Sequence, residues 1–189
     1  MKPSGNMVSQ PLVKAVVIVN TKGGRVCSRF CDKVMWPDLE TERAFEATLL
    51  KKVQALGEIS HGVDIMEFGG HIVAYTQCDD LLMFVTGLAS ENELILAEVL
   101  GSLDESLNIL LRGLVYEENV LLHLQGVLLV IDELVDQEGV VMESDPVELV
   151  SRAGVQSSSF IDNVPMGEQT LSQALQIAKD QIARTILQG

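Results

Sequence analysis

The chain has 189 residues, 47% of them hydrophobic and only 4% aromatic, with a formal net charge of −14. This composition excludes global disorder and predicts one domain of ordinary size around a core of Leu, Val and Ile, needing no disulfide, metal or cofactor. The acidic balance excludes a nucleic-acid binder, which needs a basic stripe against phosphate, and argues against direct contact with anionic lipid, so work at a membrane requires something else to bring the chain there.

Residues 1–11 are polar, carry two prolines and lack an apolar h-region. They read as a flexible tail and not a signal peptide. Val13 to Val19 is an apolar, β-branched run broken only by Lys14. It predicts a strand buried on both faces, hence central in its sheet. Thr21-Lys22-Gly23-Gly24 is a turn signal, and the next strand, Arg25 to Cys31, completes a hairpin with Val26, Ser28 and Phe30 on one face.

Trp36-Pro37-Asp38 breaks the pattern, and a helix is expected from Leu39 or Glu40. Its stripe is Ala44, Phe45, Leu49, Val53 and Leu56, and Gly57 is a stop. Val63 to Phe68, Ile72 to Cys78 and Leu81 to Leu88, separated by Gly69-Gly70 and Asp79-Asp80, read as a three-stranded meander. The five strands together form one antiparallel sheet.

From Asn92 the period changes. Leu96, Leu100, Leu103, Leu107, Leu110 and Leu114 step by four and three, which predicts an amphipathic helix ending near Gly113. A second helix from about Glu117 carries Val120, Leu124, Val127, Ile131 and Leu134. Gly139 to Met142 reads as a short extended piece. Asp145-Pro146 opens a further short helix, with Asp145 as its cap. The domain spans 12–154, a linker with three consecutive serines spans 155–166, and a C-terminal amphipathic helix spans 167–189. An antiparallel sheet flanked by helices places the chain in the α+β class.

Catalytic and metal chemistry find little support. Gly23 and Gly24 lack the spacing of a phosphate loop. Cys27, Cys31 and Cys78 are odd in number with no framework spacing, which suits a reducing compartment. His61, His71 and His123 do not combine with them at zinc spacing. His123, inside an aliphatic helix, reads as a satisfied core or interface histidine. Adjacent Asp132 and Glu133 face different ways on a helix, and helix capping accounts for Glu143 and Asp145. No Ser or Cys sits in a nucleophile elbow. The chain reads as a non-enzyme with no catalytic, cofactor-binding or metal residues.

Val120 to Ile131 resists a routine reading, being apolar everywhere except His123, Gln125 and Gly126. If Val120, Leu124, Val127 and Ile131 face the sheet, then Leu121, Leu122, Leu128 and Leu129 are left over. Neighbouring helices of the same chain cover them, or they form a partner surface.

Several segments together resemble the small chains of vesicle coats. They are Gly23-Gly24-Arg25, Ala44-Phe45-Glu46, Ser90-Glu91-Asn92-Glu93-Leu94 and Val130-Ile131-Asp132-Glu133-Leu134-Val135-Asp136. Gly139 to Pro146, Glu168 to Gln173 and Ala178-Lys179 complete the set, and their order is similar to that of the coatomer zeta family. The resemblance implies a longin-like fold. It implies direct pairing with the coatomer gamma subunit, and indirect association with the remaining coatomer subunits and an Arf-family GTPase. It further implies a cytoplasmic location, peripheral on Golgi membranes and COPI vesicles, in retrograde and intra-Golgi transport. The sigma chains of clathrin adaptors share the domain, and in them a basic residue at the hairpin contacts acidic dileucine sorting signals. Arg25 matches that position, whereas Asp104 falls where such a pocket wants an apolar wall. A sigma-type role, or an independent longin or roadblock-like regulator of a small GTPase, is the alternative.

Overall fold

The computed structural model describes residues 12–57 and 62–161, with side chains placed as far as Gly154. The chain divides into two units, Met1–Gly154 and Val155–Gly189, and the sheet belongs to the first.

β-Branched residues set the sheet. β1 (Val13–Asn20) is rich in Val and Ile, which pack well on a pleated surface. Val16 and Ile18 enter one core, and Ala15, Val17 and Val19 enter the other. β1 pairs antiparallel with β2 (Arg25–Phe30) on one side and with the meander on the other. The meander consists of β3 (Asp64–Phe68), β4 (His71–Cys78) and β5 (Leu81–Leu88). The order is β2-β1-β5-β4-β3, the expected five-stranded antiparallel sheet with a buried central strand.

The expected face of β2 is corrected by a bulge. Ile18 pairs with Cys27, but Val19 pairs with Arg25, so Val26 is an extra residue. Val26 joins Cys27 in the core opposite to that of Phe30. Arg25 is thereby turned toward the Phe30 face, its guanidinium 5.7 Å from the Phe30 ring centroid.

α1 (Leu39–Leu56) covers that face. Asp38 caps it, accepting from the Thr41 amide at 2.9 Å, and Gly57 ends it at φ 91°. Leu49 and Val53 are buried as expected, but so are Glu46 and Leu50, while Ala44 and Leu56 are exposed. A buried ion pair from Glu46 to Arg25 fixes which side of the helix meets the sheet, and hydrophobic periodicity carries no trace of it. Phe30, Trp36, Tyr75 and Phe84 lie in this core, with Phe45 and Phe68 at its margin. The Phe30–Trp36 and Trp36–Phe45 ring centroids are 5.0 and 4.8 Å apart, within the range favoured by ring quadrupoles. The expectation of a uniformly aliphatic interior therefore fails: few as they are, the rings gather under α1.

The opposite face carries α2 (Glu93–Leu110), α3 (Glu117–Leu122), α4 (Leu124–Leu134) and α5 (Pro146–Ile161). Leu96, Leu100, Leu103 and Leu107 are fully buried, as the period demands. Leu114 is not part of that stripe, because Gly113 at φ 77° has turned the chain out of the helix. The single helix expected from Glu117 is broken at His123. The Asn119 carbonyl accepts from the His123 amide at 3.1 Å, and the ring Nδ1 lies 2.9 Å from it, so this nitrogen carries the proton. His123 itself is exposed, not a core residue.

After α4, Val135 bridges Val141 and Leu12 bridges Val140, which realises the expected short extended piece. Gly139, at φ 92°, has no room for a side chain, because a Cβ would fall on the Val13 carbonyl oxygen. Asp145 caps α5 through the Val147 amide at 2.9 Å. The linker expected over 155–166 is helical over 155–161, since no proline stops α5 before Pro165. The expected tail at 1–11, the rest of the linker, the helix at 167–189 and His61 lie outside the described residues. Among the described residues no helix is long and apolar enough to cross a membrane.

Candidate partner interface

α3 and α4 position the surplus leucines. α4 buries Val127, Val130, Ile131 and Leu134, a three-four-seven spacing that uses one side of the helix. α3 buries Asn119 and Val120. The remaining apolar side chains have nowhere inward to go. Leu121 is 48% exposed, Leu122 75% and Leu128 40%. Leu129 differs: it is half-buried and packs against the aliphatic core. The two leucine pairs sit on separate helices, one on each side of the break at His123.

Further apolar side chains are exposed at and just after the end of α2. Ile109 and Leu114 are both exposed. Leu110, Leu111, Leu114, Asn119, His123 and Arg112 line a cleft of about 460 Å³ beside the break. Gly126 allows α4 to approach α2 there, since a Cβ would stand 3.3 Å from the Leu110 methyl. Leu114, expected in the buried stripe of the long helix, is thus corrected to an exposed position, and Ile109 joins it outside that stripe. The turn at Gly113, which ejects Leu114, is the signal that was available for it.

Arg25 sits elsewhere, on the α1 side. Its Nε donates to Glu46 Oε2 at 3.0 Å and its Nη1 to Glu42 Oε2 at 3.1 Å, while Nη2 lies 2.8 Å from Glu46 Oε1. Burial pushes the Glu46 carboxyl up, and Arg25 opposes that shift without reversing it. One guanidinium thus faces two carboxylates and has no unmatched charge to offer an acidic peptide. Asp104 is half-buried, its carboxyl raised first by desolvation and then by Glu105.

Several other titratable groups are occupied in structural roles. Arg29 pairs with Asp132 and donates to the Val135 carbonyl at 3.1 Å, tying β2 to the end of α4. Glu143 accepts from the Ser144 and Asp145 amides and pairs with Arg152 at 2.7 Å. Burial pushes the Cys27 thiol up to about 12, so it is no nucleophile. Among the described residues no three His, Cys, Asp or Glu side chains converge to hold a metal.

Sequence and structure comparisons agree with the fold. The clathrin adaptor complex small chain family model matches residues 12–159. Coatomer subunit zeta-1 of Arabidopsis thaliana is 34% identical over 177 residues, covering 94% of this chain and 97% of its own. Coatomer subunit zeta-1 of Homo sapiens is 35% identical over 175 residues, covering 93% of each chain. A chain in a homology model of the full-length AP-3 complex in a stretched open conformation superposes with a TM-score of 0.59 at 17% identity. That superposition covers 86% of this chain and 99% of the other, and it supports the fold alone. The five-stranded sheet, the helices on both its faces and the near full-length identity to zeta chains lead to one conclusion: this chain belongs to the clathrin adaptor complex small chain family, on its coatomer zeta side.

Proposed function

We propose that this chain is a non-catalytic, structural subunit of a coatomer coat that pairs directly with the gamma subunit. It reaches the other coatomer subunits and an Arf-family GTPase only through that assembly. It works in the cytoplasm, peripheral on Golgi membranes and COPI vesicles, in Golgi-to-ER retrograde and intra-Golgi transport. The zeta relatives supply the identity of the assembly.

The exposure of Leu121, Leu122 and Leu128 on α3 and α4 carries the physical half of the reading. A leucine moved fully out of water contributes roughly 1.5–3 kcal/mol. Three of them, with Leu114 and Ile109 nearby in sequence on the α2 side, suit the core of an obligate interface. Leu129 contributes less, because its own chain already half-covers it.

Co-expression with a gamma-type helical solenoid tests this. The native chain is expected to co-purify as a stable heterodimer, and a Leu121→Ser, Leu122→Ser, Leu128→Ser triple variant to lose it while staying folded. A triple variant that pairs as tightly as the native chain would remove these leucines from the interface.

A further inference from the structure

The two edges of the sheet are finished differently. At β2 the edge is occupied: Val26 bulges, Arg29 reaches the Val135 carbonyl and Asp132, and α3 packs alongside. β3, at the other edge, pairs with β4 alone among the described residues, in regular register from Asp64 to Phe68. It has no proline and no bulge, two of the devices that normally blunt an edge. Its surroundings are apolar as well: Val63 is 36% exposed, Ile65 42%, and Leu56 at the end of α1 62%.

A small cleft of about 210 Å³ opens between α1 and β3, lined by Lys52, Ala55, Leu56, Met66 and Glu67. The Lys52 ammonium is engaged with the Phe68 ring at 5.0 Å. Glu67 borders the cleft through its position on the strand, while its alternation with Met66 and Phe68 sets it on the other side of the sheet.

We infer that the β3 edge and this cleft form a docking site for an extended segment of a partner protein with alternating apolar and basic residues. A row of backbone donors and acceptors is satisfied by another extended backbone, and pockets beside alternate positions read the added side chains. Met66 and Phe68 belong to the α1 side of the sheet, while Ile65 and Glu67 pair with Ala74 and Ile72 on the side facing α2. An added strand inherits the same pleat. Its residues on the α1 side meet Ala55, Leu56 and Met66 and are apolar. Its residues on the α2 side stand beside Glu67 and are Lys or Arg. A second copy of this chain fits worse, since its own β3 carries Asp64 and Glu67 and no cation.

Titration of the full chain with a nine-residue peptide of alternating lysine and valine tests the site, read by backbone amide chemical shifts. Shifts confined to β3 and the last turn of α1 are expected. Glu67→Lys is expected to weaken binding at least tenfold, and a glutamate–valine peptide to leave the spectrum unchanged. Ile65→Lys, on the exposed side of β3, keeps the fold and serves as a second variant. No shift at β3, or equal binding of the acidic peptide, overturns the proposal. So does a concentration-dependent dimer abolished by Ile65→Lys, which would give the edge to a second copy. Neither outcome bears on pairing through α3 and α4.

Discussion

The two faces of one sheet are built from different materials. Under α1 lie the rings of Phe30, Trp36, Tyr75 and Phe84, whereas under α2–α5 the core is Leu, Val and Ile without a single aromatic ring. Charge is divided along the chain instead. Residues 12–57 hold eight Lys and Arg against five Asp and Glu, while residues 62–154 hold two against eighteen. One helix suffices over the aromatic side, because large rings fill the space beneath it and Arg25 pins it through Glu42 and Glu46. The aliphatic side needs several helices, and those helices carry more leucine than the sheet has room for. The exposed apolar side chains on α3 and α4 are thus a property of one face, and the proposed pairing would give them a cover.

Removing a ring is the strongest way to break the comparison. Trp36 is 4% exposed although it lies in a loop. Trp36→Ala is expected to cost about 3–5 kcal/mol in urea unfolding, at least as much as Leu103→Ala in the other core at about 2–5 kcal/mol. A loss under about 1 kcal/mol would show that the rings do not organise the α1 side.

Arg25→Met comes next, at roughly 2 kcal/mol once the partial exposure of the pair is allowed for. It leaves the Glu46 carboxyl, already raised by burial, without its counter-ion. The sign follows from the raised folded value: the deficit is full at neutral pH and shrinks as pH falls through that value, because the protonated acid needs no partner. The double variant Arg25→Met, Glu46→Leu is expected to recover most of the loss. An acidic dileucine peptide is expected to show no binding that depends on Arg25, measurable by calorimetry with and without the substitution.

Asp104→Asn acts in the opposite direction on the acidic face. Burial holds the Asp104 carboxyl above its ordinary value, so the ionised form is better tolerated by the unfolded chain. The substitution is expected to raise the urea midpoint modestly at neutral pH, the gain being reduced by solvent screening of the half-exposed carboxyl. That gain disappears on acidification, where both forms are neutral. A destabilised Asn variant would mean that the carboxylate has a partner worth more than its burial costs.

The smallest expected effect is the most telling for function. Leu122→Ser in the isolated chain is expected to change stability by less than about 0.5 kcal/mol, since the side chain is three-quarters exposed. A loss comparable to that of Leu103→Ala would place Leu122 in the core and end its candidacy as a contact.

Much of this was legible in the residues. The period-two runs gave five strands, and the Leu96-Leu100-Leu103-Leu107 spacing gave the main helix of the aliphatic face. Three of the four leucines read as surplus, Leu121, Leu122 and Leu128, are exposed, and Leu129 is half-covered by the core. What escaped was non-local. Val26 changes face because of a bulge in its pairing with β1, and Glu46 goes inward because Arg25 faces it from β2. Each depends on a partner or a register that no window of neighbouring residues contains.

Sequence alone determined the class of structure, because alternation and the 3.6-residue period are local consequences of backbone geometry, written along the chain. It also determined the kinship, because identity of about a third over nearly the full length records a shared fold. Tertiary structure alone decided how far the chain itself covers the surplus leucines, where the rings collect and, among the described residues, which sheet edge carries no further strand. Those depend on how elements distant in sequence divide a fixed volume between them, and close packing allows a single solution.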